Sequence, residues 1–164
     1  MERIRSVCAV VVVAVAASLL SSCTPTPAAE TDMTPEESKQ SAVDVLDSTI
    51  AALGTDGWEP AGAISPLDCT MSNGDQGVNY VVLRSGPGAD PEETVATVDA
   101  HWQELGMTTR TVTASNSTDT LIRLYGEGDP LDGVDLYADV NQTSIQAESR
   151  CVAGDAGELI QRSE

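Results

Sequence analysis

The sequence predicts an α+β fold in which two helices pack on one face of a mostly antiparallel sheet of about five to six strands. Two observations lead to this prediction. Two segments combine a helix cap with an apolar stripe at helical spacing, and the segments around them alternate apolar and polar residues as half-buried strands do. The chain of 164 residues is long enough for one ordinary domain but short for two well-packed ones. We therefore expect a single two-layer domain.

The first helix is predicted to begin at Pro35. Thr34 before it is a typical N-cap, and Glu37 is placed to return a hydrogen bond to the cap. Gly54 is expected to end the helix. The apolar stripe that follows the cap consists of Val43, Leu46, Ile50 and Leu53.

A second helix follows the same design. Asp90 is the predicted N-cap, Pro91 the first helical residue and Gly106 the residue that ends the helix. The stripe of this helix consists of Val95, Val98, Trp102 and Leu105. Because the sequence contains no Phe and only two Trp, we expect Trp102 to pack in the core with Val, Leu, Ile and Ala.

Strands are predicted between and after the helices. The last pair is the clearest, since apolar residues alternate with polar ones on both sides of the turn at Asn141 and Gln142. The order of the strands within the sheet stays open at this stage. The predicted strands cover residues 58–64, 77–84, 108–114, 120–125, 134–140 and 145–151.

The beginning of the chain carries a targeting signal. Arg3 and Arg5 precede an apolar run over residues 7–20, which is too short to span a bilayer comfortably but suits a signal peptide. The run ends in Leu20-Ser21-Ser22-Cys23, which resembles the bacterial lipobox. This resemblance implies cleavage between Ser22 and Cys23 and attachment of diacylglycerol to Cys23. A plain signal peptide or a short anchor with a coincidental Cys is the alternative.

The lipobox resemblance, the composition of residues 24–34 and the predicted elements together divide the chain. Residues 1–22 would be the signal peptide and 23–34 the lipidated Cys with a flexible tether. Residues 35–152 would form the α+β domain and 153–164 a C-terminal tail. The domain would then be held by diacylglycerol at the extracytoplasmic face of the cell membrane, since two acyl chains give a stable anchor.

Taken as a whole, the chain resembles the small secreted lipoproteins common in actinobacteria, such as LppA-like proteins. The motif that carries this resemblance is the lipobox, and composition and element order add to it. Such families mostly lack an assigned activity. The resemblance therefore implies a location at the cell envelope more than a chemistry.

The four cysteines have separate expected fates. Cys8 leaves with the signal peptide and Cys23 is alkylated, so Cys69 and Cys151 remain. In an extracytoplasmic compartment these two should form a disulfide, with two buried free thiols as the alternative. A structural zinc site is not expected, because His101 is the only His and no C-x-x-C motif occurs.

Charge and motifs limit the function. The chain has 26 acidic and 8 basic residues and a net charge of -18, which argues against nucleic acid as a partner. No G-x-S-x-G motif occurs, and His101 is expected at the margin of the second helix's apolar stripe. We therefore predict no catalytic residues and no cofactor.

Acidic residues are concentrated around Pro130 and Gly133. Asp129, Asp132 and Asp135 are candidate oxygen ligands for Ca²⁺, although the EF-hand pattern is absent. We favour a solvated turn that leads into an acidic-faced strand.

The leading hypothesis from the sequence is a membrane-anchored, non-enzymatic binding or accessory module that contacts an envelope protein or a small ligand. A hydrolase that uses paired carboxylates and a Ca²⁺-binding envelope protein are the alternatives. Tyr137, on the polar face of the last hairpin, is the candidate for an exposed contact residue.

Overall fold

The computed structural model describes residues 33–54, 56–115 and 120–163. The signal peptide predicted for 1–22, the cleavage site between Ser22 and Cys23, lipidation of Cys23 and the tether up to residue 32 lie outside the described residues.

The first helix, α1, extends over Pro35–Leu53 and begins at a capping box. The Glu37 backbone N–H donates to the Thr34 hydroxyl oxygen at 3.3 Å, and the Thr34 N–H donates to the Glu37 carboxylate at 2.8 Å. Two hydrogen bonds to the Glu37 carboxylate lower its pKa below the ordinary value. The bond from the Thr34 backbone N–H has the larger effect, and the bond from the Thr34 hydroxyl has the smaller one. This cap therefore contributes its full stabilisation at pH values above the ordinary pKa of a Glu side chain. The contribution is lost as the pH falls through the lowered pKa of Glu37.

The second helix, α2, extends over Pro91–Glu104 and confirms the second helix prediction. The Asp90 carboxylate caps it by accepting from the Glu93 N–H at 2.9 Å. Gly106, at φ +88°, leads the chain away from the helix. The last residue of the predicted stripe differs from expectation: Leu105 is 40% exposed, because it follows the last helical turn rather than facing the core.

The strands form one antiparallel sheet, and the predicted α+β fold class is confirmed. Among the described residues the sheet contains seven strands, more than the five to six that the sequence predicts. Along the sheet the strands follow the order β1-β2-β6-β5-β4-β3, and a short β7 also pairs with β2. The strands are β1 Pro66–Thr70, β2 Gln76–Pro87, β3 Thr108–Ser115, β4 Thr120–Gly128, β5 Leu131–Ala138, β6 Gln142–Ser149 and β7 Val152–Ala153.

The prediction of a strand over 58–64 is wrong. These residues run beside β2 without forming a ladder, and the first strand is β1 instead. The Glu59 N–H donates to the Ser85 carbonyl at 2.8 Å, but Pro60 has no N–H to continue the pairing. The Arg84 Nε donates to the Glu59 carbonyl at 2.7 Å and so takes the place of a ladder bond.

The segment predicted as a C-terminal tail contains a third helix, α3, over Ala156–Ser163. Ala156 packs with Val78 and Tyr80 in a small second core, to which Met33 adds a partly buried side chain. The pKa of Tyr80 is raised, mainly because the side chain is partly buried and to a smaller extent because of the negative charge of Glu36. The C-terminal segment, expected to be frayed or briefly helical, therefore packs on the domain as a short helix.

The main core lies between the sheet and the two longer helices. Trp102 is fully buried there, and its indole N–H donates to the Thr49 hydroxyl of α1 at 2.9 Å. Gly126 of β4 leaves the space for the indole, since a Cβ there would lie 2.9 Å from Trp102 Cε3. The two helices are thus joined over one face of the sheet.

The predicted disulfide between Cys69 and Cys151 is confirmed, with the two Cα atoms 6.0 Å apart. It joins β1 to the segment between β6 and β7. Gly77 of β2 lies beneath it, where a Cβ would stand 2.8 Å from Cys151 Sγ and 2.7 Å from the Val152 carbonyl oxygen. The glycine allows the bridge to pass close to the sheet.

Replacing Cys69 and Cys151 together with Ser should lower the free energy of unfolding by about 4.5 kcal/mol, because the bridge constrains an unfolded chain over a separation of 82 residues. Equilibrium unfolding in urea measures this loss. Alkylation of the unreduced wild-type domain is the control and should label neither Cys. An unchanged unfolding midpoint, or two adducts without reductant, would contradict the assignment.

Candidate functional site

The face of the sheet opposite α1 and α2, here called the open face, presents side chains to solvent. The outward positions of the central strands are exposed or half-buried, in contrast to the buried positions between them. Its side chains include Leu83 on β2, Arg110 and Val112 on β3, Arg123 and Tyr125 on β4, Asp135 and Tyr137 on β5, and Gln146 and Glu148 on β6.

Four side chains of this face form the arginine–tyrosine cluster, defined as Arg110, Arg123, Tyr125 and Tyr137. The guanidinium carbons of Arg110 and Arg123 lie 4.1 and 4.2 Å from the centroid of the Tyr125 ring. Arg123 also lies 4.4 Å from the centroid of Tyr137. Cross-strand register produces these contacts, since Arg110 is opposite Tyr125 and Arg123 is opposite Tyr137.

Arg123 holds the cluster to the sheet. Its Nη2 donates to the Asp135 carboxylate at 3.0 Å. Burial disfavours the charge on Arg123, but the hydrogen bond and the charge of Asp135, with the tyrosine oxygens, outweigh burial and raise its pKa. Arg123 is therefore a charged group that is already paired with a carboxylate of the sheet through Nη2, while its buried Nε has no hydrogen-bond partner among the described residues.

Arg110 differs from the other basic residues that the structure describes. It is exposed and forms no ion pair with a described carboxylate, whereas every other described Lys or Arg does. Those pairs are Lys39–Glu36, Arg84–Asp47, Arg123–Asp135, Arg150–Asp129 and Arg162–Glu158. In a chain with a net charge of -18, an unpaired Arg supported by an aromatic ring is a place where an anionic group can bind.

The candidate Ca²⁺ ligands do not converge. Asp129 pairs with Arg150 at 2.9 Å, and Asp132 accepts from the Cys151 N–H at 3.1 Å. Asp135 pairs with Arg123. Within 33–54, 56–115 and 120–163, no group of three or more His, Cys, Asp or Glu is arranged to hold a metal ion. Each of the three carboxylates has its own structural partner instead.

Carboxylates do meet in a small hollow of 190 Å³ on the open face. Glu127, Asp132, Asp135 and Glu148 line it. Three of them already accept hydrogen bonds within the protein, including Glu148, which accepts from the Asn79 side chain at 2.7 Å. A hydrolase needs two carboxylates free to exchange protons across a substrate, and three of these four are engaged in hydrogen bonds within the protein.

His101 lies at the contact between α1 and α2, where the sequence alone gave no partner for it. Its Nε2 lies 3.0 Å from the Ser48 hydroxyl oxygen, and that hydroxyl lies 3.0 Å from the Val45 carbonyl oxygen. The carbonyl can only accept, so the single hydroxyl proton is directed to Val45 and the ring N–H completes the bond to Ser48. The Ser48–His101 pair therefore connects the two helices.

A larger groove of 540 Å³ lies where α1 ends and α2 begins. Asp56, Asp90 and Glu93 contribute to its lining, whereas no basic side chain is among the described residues that line it. Trp58 at its rim is fixed by donation from its indole N–H to the Gly54 carbonyl at 3.0 Å. The groove therefore suits a neutral or cationic group rather than an anion.

Tyr137, expected as an exposed contact residue, is half-buried beneath Arg123 instead. Among the described basic residues, the one without an ion pair is Arg110, for which no local sequence pattern provides a signal. Among the residues that the structure describes, no helix combines the length and the apolar character needed to cross a membrane.

The fold has a counterpart among solved structures. The crystal structure of a DUF4853 family protein from Actinomyces odontolyticus matches with a TM-score of 0.58 and 13% sequence identity, covering 79% of this chain and 74% of that chain. No family model matches the chain, and no curated protein matches it. At this identity the likeness shows that the two proteins share a fold.

The two arginines of the cluster should respond differently to substitution. Arg123→Met leaves the Asp135 carboxylate, whose side chain is 22% exposed, without its cation, so we expect a loss of about 1–3 kcal/mol in the free energy of unfolding. Arg110→Met removes one exposed ring contact and should cost less than about 1 kcal/mol. Urea unfolding of both variants tests this, and equal losses would contradict the assignment of Arg123 as the structural member.

Proposed function

We propose that this protein is a lipid-anchored, extracytoplasmic binding module of the cell envelope, non-enzymatic, which engages its partner through the open face of the sheet. Diacylglycerol on Cys23 would hold it at the membrane, and residues between the lipid and α1 would separate the domain from the surface. The proposal joins the lipobox in the sequence to the chemistry of the open face.

The lipobox and the charge support the anchored arrangement. Nine residues lie between Cys23 and Met33, so an extended chain could place the lipid and the domain up to about 35 Å apart. A net charge of -18 makes anionic headgroups repel the domain, so attachment would depend on the acyl chains. The Cys69–Cys151 disulfide agrees with an oxidising compartment.

The observation that carries the binding role is the arginine–tyrosine cluster on a face that neither α1 nor α2 covers. Arg123 is paired with Asp135, and Arg110 remains able to contact a partner. The carboxylates nearby hold structural hydrogen bonds, so the same face offers contacts rather than proton transfer.

Cys23→Ala should move the protein from the membrane fraction to the soluble extracytoplasmic fraction, because the variant lacks the thiol that accepts the lipid. Fractionation with immunoblotting measures the shift. Cys8→Ala is the matched control and should stay at the membrane, since Cys8 lies in the part that is cleaved off. Continued membrane association of Cys23→Ala would refute the anchor.

In-cell chemical crosslinking of the tagged full-length protein, followed by mass spectrometry, tests the binding role. We expect a discrete protein partner whose adduct is reduced when Arg110 is replaced with Glu. The absence of any adduct across crosslinkers of several lengths would contradict a protein-binding module.

A further inference from the structure

We propose that β3 accepts an extended segment of the partner protein as an additional strand, with a carboxylate of that segment opposite Arg110. This inference depends on the proposed role as a binding module and specifies the partner's chemistry. The backbone of β3 would supply affinity, and Arg110 would supply the preference for an acidic residue.

The first argument is that β3 is an unprotected edge. It is the last strand of the sheet, and it pairs with β4 in an unshifted register from Thr108 to Ser115. It contains no Pro, Lys or bulge, the features that usually prevent pairing with another chain. Alternate N–H and C=O groups of β3 point away from β4, where a further strand can bind them.

The second argument comes from the opposite edge, which is protected. β1 begins with Pro66, is only five residues long and is held by the disulfide at Cys69. The last helix, α3, packs against β1 as well. Residues 59–64 run beside the remaining length of β2, with hydrogen bonds between Glu59 and β2. An added strand therefore has one suitable edge among the described residues.

The third argument concerns the side chains at the free edge. Val112 is 44% exposed and Leu121 on the neighbouring β4 is 37% exposed, and both lie on the open face. Thr111 and Thr113 are exposed on the other side of β3, which the helices leave largely uncovered. Alternate side chains of an added strand would find an apolar contact on one face and hydroxyl groups on the other.

The fourth argument selects the partner. Arg110 is on the open face of β3 and has no described carboxylate partner, so a residue directly across from it would gain an opposite-charge contact if it were Asp or Glu. A second copy of this chain is a poorer occupant, because two molecules of net charge -18 repel each other. The occupant is thus an extended segment of another protein with an acidic residue at this register.

The test uses the full-length protein and an eight-residue peptide of alternating Val and Thr with a central Glu. Backbone amide NMR should show shift changes and slower hydrogen exchange confined to residues 108–115 and their β4 partners. Two variants of this peptide serve as a matched pair. In one, the backbone N–H groups along one edge are methylated, and in the other, those along the opposite edge. One should bind and the other should not, because a strand pairs through one edge.

The charge preference has its own controls. Wild-type protein should bind the Glu peptide about two- to fivefold more tightly than the same peptide with Lys. Arg110→Glu should reverse the preference. Arg162→Glu makes the same change of charge in α3, on an exposed side chain, and should leave the preference as in the wild type.

Several results would overturn this inference. They are no binding at millimolar peptide, amide changes outside β3 and β4, equal binding of the two N-methylated peptides, or an unchanged preference in Arg110→Glu. A concentration-dependent dimer that protects β3 would identify a second copy as the occupant instead. If the peptides fail to bind but in-cell crosslinking finds a partner, strand addition at β3 is refuted and the binding role stands. If no partner is crosslinked in cells, the binding role itself is contradicted.

Discussion

The burial of Trp102 is the constraint on which the rest of the structure depends. A chain without Phe has few large side chains for its core, and Trp102 is fully buried among Val, Leu, Ile and Ala. Its N–H binds Thr49 of α1, and its ring occupies the space above Gly126 of β4. One residue of α2 thereby joins both helices to the same face of the sheet, which leaves the opposite face uncovered by α1 and α2.

The side of the molecule that stabilises the fold is consequently different from the side that we propose contacts a partner. The helical side contains the main core and the interhelical bond between Ser48 and His101. On the open side, the Arg123–Asp135 pair provides order without covering the strands. The disulfide and α3 protect one edge of the sheet, and β3 at the other edge keeps its backbone groups available. This asymmetry supports the proposal that the open face and β3 bind a partner.

Features that depend on local interactions could be predicted from the sequence, whereas features that depend on contacts between distant residues could not. The caps at Thr34 and Asp90 are local, so both longer helices were predictable. The disulfide was predicted from the two cysteines that remain once the lipobox interpretation accounts for Cys8 and Cys23. The pairing of β2 with β6, the position of β1 and the contact of Arg110 with Tyr125 depend on tertiary packing that no local pattern encodes. The error at 58–64 arose because apolar content outweighed the lack of an N–H at Pro60.

Site-specific photo-crosslinking in cells tests the central claim most directly. A photoreactive residue at position 112 lies on the free edge and open face, and one at position 140 lies in the turn after β5, where Val140 is 58% exposed. If β3 and the open face bind the partner, position 112 gives a discrete adduct and position 140 gives none. Equal adducts from both positions, or an adduct from position 140 alone, would contradict the account.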